Sequence, residues 1–261
     1  MSHHTPFSLL THIAGDEQQL AIFSEHATIE SWLAAERALA QAQARLGVIP
    51  EADAEAIAQA ARIDAIDTSK LWATARTVGY PILGLVRQIT ALLPPGPDGH
   101  VHYGATTQDI MDTGLALQLR RSLTALDHRL GNLGDAIATK ATEHIRTVMA
   151  ARTHAQQAVP TTFGATLATL LTQITRQRDR LAQAEPRIAR IALFGAGGTS
   201  AALGPHAAQI RSTAATLLDL HNTTIPWHAE RDSLAEFGWL CATITATCAK
   251  LARNEPFPTS R

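Results

Sequence analysis

Residues 107–147 read TQDIMDTGLALQLRRSLTALDHRLGNLGDAIATKATEHIRT and contain no proline. Large apolar side chains recur in this stretch at alternating intervals of four and three residues: Leu119, Leu123, Leu126, Leu130, Leu133 and Ile137. This heptad-type spacing predicts one long helix with an apolar face. Such a helix cannot bury that face alone, so it must pack against other helices.

Two more stretches repeat the pattern further along the chain. The second begins after Pro160 and has apolar side chains at Leu167, Leu171, Ile174, Leu181 and Ile188. The third has them at Leu234, Phe237, Cys241, Ile244, Cys248 and Leu251, and is expected to end at Pro256 and Pro258. Three such faces in one chain predict an all-α fold with a long-helix bundle. They also predict a homo-oligomer, in which other subunits cover the apolar surface that one chain leaves exposed.

The N-terminal part is expected to contain shorter helices. They are predicted over Ser24–Leu46, from Pro50 to about Arg62, over Thr68–Thr77 and over Pro81–Leu93. The run PPGPDG at positions 94–99 is the strongest break in the sequence. We therefore expect a small N-terminal helical domain over residues 1–98 and a long-helix bundle domain over residues 99–261.

Composition and charge exclude several classes of protein. Of the 261 residues, 46% are hydrophobic and 17% charged, which is too apolar for a disordered chain. The 22 basic and 23 acidic residues leave a net charge of −1, so no nucleic-acid partner is expected. No apolar run approaches about 20 residues, and residues 1–10 do not resemble a signal peptide, so no membrane partner is expected either. The two cysteines, Cys241 and Cys248, are too far apart on one helix to pair, which favours a reducing, cytoplasmic location.

The segment HYGATTQDIMDT at positions 102–113 is the first candidate for function. Thr106 and Asp109 have the spacing of a capping box at the start of the long helix. Free N–H groups and hydroxyls at a helix N-terminus form a natural carboxylate site. The same residues are also consistent with nothing more than a well-capped helix.

Two further polar segments stand out. In ARTHAQQAVPTTFG at positions 151–164, His154 comes shortly before a predicted proline-started helix. It is a candidate proton donor, or a structural histidine held by hydrogen bonds. In FGAGGTS at positions 194–200 the GxGxxG spacing is absent and no strand is predicted upstream, so the glycines predict a tight turn and not a dinucleotide site.

Taken in order, four segments resemble the fumarase/aspartase superfamily, most nearly its 3-carboxy-cis,cis-muconate cycloisomerase branch. The residues that carry the resemblance are Val101–Arg120, Arg152–Gly164, Phe194–Gly204 and Pro226–Phe237. The resemblance implies an all-α fold and a homotetramer whose active sites are assembled from several subunits. It implies neither a metal nor an organic cofactor.

The resemblance also implies roles for individual residues. Thr106, Thr107 and Gln108 would bind a substrate carboxylate, and His102 would lie in the same pocket. A second wall would contain Thr153, His154 and Gln157, and His154 and His102 are the candidate catalytic residues. Arg231 would be either a carboxylate partner or a structural ion-pair residue.

Three departures from the family pattern affect this expectation. His154 stands where cycloisomerases commonly carry Trp, and Glu230 stands where Gln is usual. The signature loop GSSxMPxKxNP, whose serine is the proposed general base, is not found before Arg261. The expectation is therefore a truncated chain, with an incomplete bundle domain and without the family's C-terminal domain.

The sequence thus predicts a cycloisomerase-like protein that would lactonise a muconate tricarboxylate in aromatic catabolism, and that is incomplete as a catalyst. One alternative is a fumarate-releasing lyase of the adenylosuccinate lyase type, which His154 favours. Another is a catalytically silent protein that oligomerises through its apolar helix faces. The expected partner is a small polycarboxylate substrate.

Overall fold

The computed structural model describes residues 15–254. In these residues nine α-helices and two β-strands follow one another: α1 (Glu17–Ile22), α2 (Glu25–Arg45), α3 (Glu51–Ala60), α4 (Thr68–Val78), α5 (Ile82–Ala91), α6 (Thr107–Glu143), β1 (Val148–Thr153), β2 (Gln156–Thr162), α7 (Phe163–Ile188), α8 (Ala207–Leu218) and α9 (Asp232–Asn254). Short 3₁₀ turns lie at Ile63–Ala65, Pro97–His100 and Ala201–Leu203. The predicted all-α class is confirmed, because the only sheet of the described residues is one two-stranded hairpin.

The predicted helices of the N-terminal part are confirmed to within a few residues. Helix α2 begins directly after Ser24, whose hydroxyl accepts a hydrogen bond from the backbone N–H of Ala27 at 3.2 Å. Pro50 and Pro81 stand immediately before α3 and α5. Two helices, α1 and α8, were not predicted.

Two compact units make up the described chain. Residues 15–122 and 187–231 form the first, and residues 123–186 and 232–254 form the second. Helix α6 contributes its first sixteen residues to the first unit and the rest to the second. The domain boundary expected near residue 98 stays a prediction.

Helix α2 lies at the centre of the first unit, where it packs against α3 and α8. Its alanine-rich face allows close contact, and Leu33 and Leu39 are fully buried. At Gly114 in α6, a Cβ atom would lie only 2.6 Å from the ring of Trp32. This close approach requires glycine, and it brings the first turns of α6 beside α2.

The second unit buries only part of the apolar faces that the heptad spacing predicts on α6 and α7. Half-buried members of these faces are Leu126, Leu133, Leu167 and Leu171. Leu123, Leu130 and Ile137 of α6 are buried, as are Ile174 and Leu181 of α7.

The buried face of α9 differs from the predicted one. It is centred on Leu240, Ile244 and Thr247, whereas Cys248 is exposed. A threonine can be buried there because its hydroxyl donates to the carbonyl of Thr243 and accepts from Gln173 Nε2 at 3.0 Å. The predicted stop at Pro256 and Pro258 lies outside the described residues, as do residues 1–10.

The hairpin was not predicted, and the expectation of a helix started by Pro160 is wrong. Pro160 lies in β2 opposite Ala150 of β1, and α7 begins three residues later at Phe163. The strands pair antiparallel with an irregularity between Ala150 and Arg152. Proline is tolerated here because a two-stranded ribbon leaves one edge of each strand unpaired.

Among residues 15–254, no helix combines the length and apolar character that crossing a membrane would need.

Candidate functional site

Asp109 anchors the start of α6. Its side chain is fully buried and accepts four hydrogen bonds at 2.9–3.0 Å. Three come from the backbone N–H groups of Thr106, Phe194 and Gly195, and one comes from His228 Nε2. One carboxylate therefore joins the first turn of α6 to two loops that are distant in sequence.

Three polar residues directly precede Asp109 at the start of α6. Thr106, Thr107 and Gln108 are half-buried, and their side chains make no hydrogen bond within the described residues. The bond from the Thr106 N–H to Asp109 is one half of the predicted capping box. The N–H groups of Thr107 and Gln108 lie in the first helical turn, where no intrahelical acceptor exists. This arrangement can hold a carboxylate group.

His102 lies just before this turn and pairs with a buried carboxylate on α2. Its Nδ1 is 2.6 Å from Oε1 of Glu36, whose side chain is 1% exposed. Desolvation by burial opposes the charged ring, but the hydrogen bond and charge of Glu36, with a contribution from Asp109, outweigh it and raise the pKa of His102 above its ordinary value.

The backbone between His102 and α6 turns sharply. His102 has φ +59° and Gly104 has φ +75°, both in the left-handed region. A Cβ atom on Gly104 would lie 2.7 Å from the carbonyl oxygen of Ala202, so only glycine fits at that contact. Ala202 belongs to the 3₁₀ turn that follows the glycine segment 194–200. Within that segment, positive φ at Gly195 and Gly198 confirms the predicted tight turn.

Arg231 forms an ion pair with α6. One guanidinium nitrogen is 3.0 Å from Oδ1 of Asp112, a buried carboxylate whose Oδ2 has no hydrogen-bond partner in the described part of the chain. The contact matches the structural ion-pair alternative for Arg231. A role in binding a substrate carboxylate stays a prediction, and Glu230 beside it is exposed.

Thr153, His154 and Gln157 lie on the hairpin of the second unit, whereas His102, Thr106, Thr107, Gln108 and Arg231 all lie in the first unit. The three hairpin residues are exposed. His154 and Ala155 form the two-residue turn with φ +48° and +61°. Hairpin turns of this kind favour Asn and Gly, because both central residues need positive φ. A histidine and an alanine held there are strained, which is frequent at functional positions.

Sequence reasoning missed Glu36 and His228 as partners in the site. Glu36 had a signal, since it lies on the face of α2 that also carries Leu33 and Ala40, where a charged side chain needs a buried partner. His228 had none, because its contact with Asp109 spans 119 positions in the sequence.

In the part of the chain that the structure describes, no group of three or more His, Cys, Asp and Glu side chains is placed to hold a metal ion.

The raised pKa of His102 predicts a loss of stability at alkaline pH. A group whose pKa is higher in the folded than in the unfolded chain stabilises the fold below its unfolded pKa, about 6.5 for histidine. This contribution is lost as the pH rises through the folded pKa of His102. The free energy of unfolding, measured in urea from about pH 6 upward, should therefore fall more steeply for the natural chain than for His102→Asn. Equal slopes would contradict the prediction; Asn suits the test because it tolerates positive φ.

Comparisons with known proteins show the family of this chain. A family model described as "Lyase" matches residues 13–254. The chain is 37% identical over 245 residues to trans-aconitate decarboxylase 1 of Mycosarcoma maydis, covering 94% of this chain and 50% of the relative. It is 38% identical over 237 residues to 3-carboxy-cis,cis-muconate cycloisomerase of Pseudomonas aeruginosa, covering 90% of this chain and 52% of the relative.

Among solved structures, the crystal structure of a fumarate lyase from Mesorhizobium sp. BNC1 superposes with a TM-score of 0.88 at 39% identity, over 92% of this chain and 56% of that one. The chain thus spans about half the length of the proteins that it matches.

Proposed function

From the premise that this chain belongs to the lyase family whose model covers residues 13–254, we propose that it binds a small unsaturated tricarboxylate at the start of α6. The names of both curated relatives reported above contain an unsaturated tricarboxylic acid. The proposed reaction is the lactonisation of a 3-carboxymuconate-type substrate. In this reaction a substrate carboxylate oxygen forms a C–O bond to the conjugated alkene, and a proton is added to carbon, with no change of oxidation state.

One observation carries the binding proposal. Thr106, Thr107 and Gln108 present half-buried hydroxyl and amide groups with no hydrogen-bond partner in the described residues, at the N-terminus of a 37-residue helix. Hydrogen-bonding groups without a protein partner remain able to bind a ligand at this position. Helix N-terminal N–H groups and the helix dipole favour an anionic one.

The charges around this helix start are compatible with an anion. Each of the three buried carboxylates has a partner of its own: Glu36 pairs with His102, Asp109 with His228, and Asp112 with Arg231. Each partner holds its carboxylate by a hydrogen bond, which reduces the repulsion that a polycarboxylate would otherwise meet. Charge that develops on the substrate during lactonisation would meet hydrogen-bond donors already in place.

A second candidate function is the release of fumarate by elimination. His154 favours it, because this exposed imidazole stands where cycloisomerases commonly carry Trp, and an imidazole can transfer a proton near neutral pH. The two candidates differ in their product, since one gives a lactone and the other gives fumarate. Loss of the conjugated-alkene absorbance of a 3-carboxymuconate reports lactonisation, and the appearance of fumarate from a succinylated amine reports elimination, so the two assays decide between the candidates.

The carboxylate site is tested by replacing both threonines. Citrate, used as a tricarboxylate probe, should raise the melting temperature of the natural chain by mass action. The double variant Thr106→Ala/Thr107→Ala should lose most of this shift, since two hydroxyl donors are removed. The matched control is Thr139→Ala/Thr142→Ala, on the same helix, where both exposed hydroxyls already donate to backbone carbonyls.

If citrate still raises the melting temperature of Thr106→Ala/Thr107→Ala by the same amount, this segment is only a helix cap. If the natural chain shows no shift at all, the silent, oligomerising protein becomes the better interpretation. The homo-oligomer and the cytoplasmic location stay predictions.

A further inference from the structure

We propose that Glu36 is a positioning residue, which holds His102 in a buried carboxylate–imidazole pair and leaves its Nε2 to meet the substrate. The part of this inference that concerns substrate rests on the proposed function. The part that concerns the state of the imidazole rests on the geometry of the first unit alone.

The pair is built from a rigid element. Glu36 lies in the middle of α2, the 21-residue helix at the centre of the first unit, and its side chain is almost completely buried. Its Oε1 is 2.6 Å from Nδ1 of His102, and its Oε2 has no hydrogen-bond partner within the described residues. A buried carboxylate with so few partners requires a donor. His102 is the donor that the structure supplies.

The contact sets which nitrogen of the ring carries a proton. A carboxylate accepts only, so Nδ1 must donate and keeps its hydrogen in the neutral ring. Nε2 has no hydrogen-bond partner in the described part of the chain. It is therefore a proton acceptor when the ring is neutral and a donor when the ring is charged. A buried carboxylate orients the histidine of serine-protease triads in the same way.

Helix α2 also stabilises the strained backbone that carries His102. His102 has φ +59°, which is uncommon outside glycine. Gln43, seven residues after Glu36 on the same helix, is completely buried and donates from Nε2 to the carbonyl of Tyr103 at 2.7 Å. Two side chains of α2 therefore hold adjacent residues of the turn, as expected where a strained conformation is maintained by its surroundings.

The charged groups that face His102 come from two helices. Glu36 faces it from α2, and Asp109 acts on it from α6 through its charge. Asp109 already accepts four hydrogen bonds, one of them from His228. Removal of the Glu36 carboxylate should therefore change the pKa of His102 most directly.

The same unit offers a matched control. Two residues before His102, the Nδ1 atom of His100 is 2.7 Å from Oδ2 of Asp53 on α3. This pair also joins an imidazole to a carboxylate, and its N–O distance is almost the same. No hydrogen bond among the described residues connects it to His102. The variant Asp53→Asn thus removes an equivalent carboxylate without touching the proposed pair.

The experiment follows the ring nitrogens of His102 by ¹⁵N NMR in the full chain, with the signal assigned by its loss in His102→Asn. In the natural chain the neutral ring should be the Nδ1–H tautomer. Glu36→Gln removes the negative charge beside the ring and should move the titration of His102 to lower pH, whereas Asp53→Asn should leave that titration unchanged. A titration of His102 in Glu36→Gln that equals the natural one would overturn the proposal.

If Glu36→Gln does not fold, Glu36→Asp provides the same test, since it keeps the charge but withdraws it by one methylene group. A titration moved toward lower pH supports the proposal, and an unmoved titration overturns it.

Binding of citrate separates this inference from the proposed function. Because His102 is less cationic in Glu36→Gln, the affinity of this variant for citrate at neutral pH should fall about tenfold, consistent with the loss of one charge-assisted contact. The affinity of Asp53→Asn for citrate should stay unchanged. Failure of the natural chain to bind citrate would refute the proposed function, while the NMR titration would still decide the role of Glu36. Equal affinity in the natural chain and Glu36→Gln would overturn the substrate-facing part of the inference.

Discussion

Replacing Asp109 with alanine is expected to lower the free energy of unfolding by about 4 kcal/mol or more. The carboxylate is fully buried and accepts from four donors, in three separate segments of the first unit. Each buried donor left without an acceptor costs about 1–3 kcal/mol. Two of the four donors are buried and two are half-buried, so the lower limit is used for each. The sum is about 4 kcal/mol, which is a large share of the 5–15 kcal/mol typical of a folded protein.

Asp109→Asn provides an intermediate case. The amide keeps the volume of the carboxylate, but it directs one NH₂ group at N–H donors and loses the negative charge that faces His228. We expect a loss of stability between that of Asp109→Ala and the natural chain. Urea denaturation of all three proteins, monitored by circular dichroism, measures their free energies of unfolding.

The control for this series is Asp135→Asn, on the same helix, where the side chain is exposed. Surface substitutions of this kind are usually within about 0.5 kcal/mol of the parent. If Asp109→Ala were no more destabilising than Asp135→Asn, the hydrogen bonds of Asp109 would not hold the start of α6 in place. The carboxylate site proposed there would then lose its structural support.

Replacing His154 with asparagine is expected to reduce fumarate release by about 10²–10⁴-fold, if the protein is an elimination-type lyase. A positioned acid or base typically contributes a factor of this size to the rate. Stability should change little, because His154 is exposed and asparagine is a favoured residue in a turn with positive φ. The measurement compares turnover and melting temperature of the two proteins.

His128→Asn is the matched control, since His128 is an exposed histidine on α6 without an assigned role. It should change neither turnover nor melting temperature. Fumarate release that persists in His154→Asn would show that another group transfers the proton, and would remove the observation that favours elimination. Loss of activity together with loss of folding would instead assign His154 a structural role in the hairpin.

The long helices could be predicted from the sequence because their signal is local and repeated. Apolar residues spaced by three and four positions from Leu119 to Ile137 predict a helix and the face that it buries, without information from the rest of the chain. The hairpin at residues 148–162 could not be predicted in this way. A two-stranded ribbon that is mostly exposed on both faces has no hydrophobic alternation, and Pro160 suggested a helix start instead.

The same distinction between local and long-range information applies to the candidate site. The sequence by itself determined the all-α class and the start of α6 at Thr107, since helix caps and breaks depend on neighbouring positions. Only the tertiary structure determined that Glu36 meets His102 across 66 positions and that His228 meets Asp109 across 119. The physical reason is that burial makes these pairs necessary. A charged side chain inside the fold must find a partner, but which one it finds depends on how the helices pack.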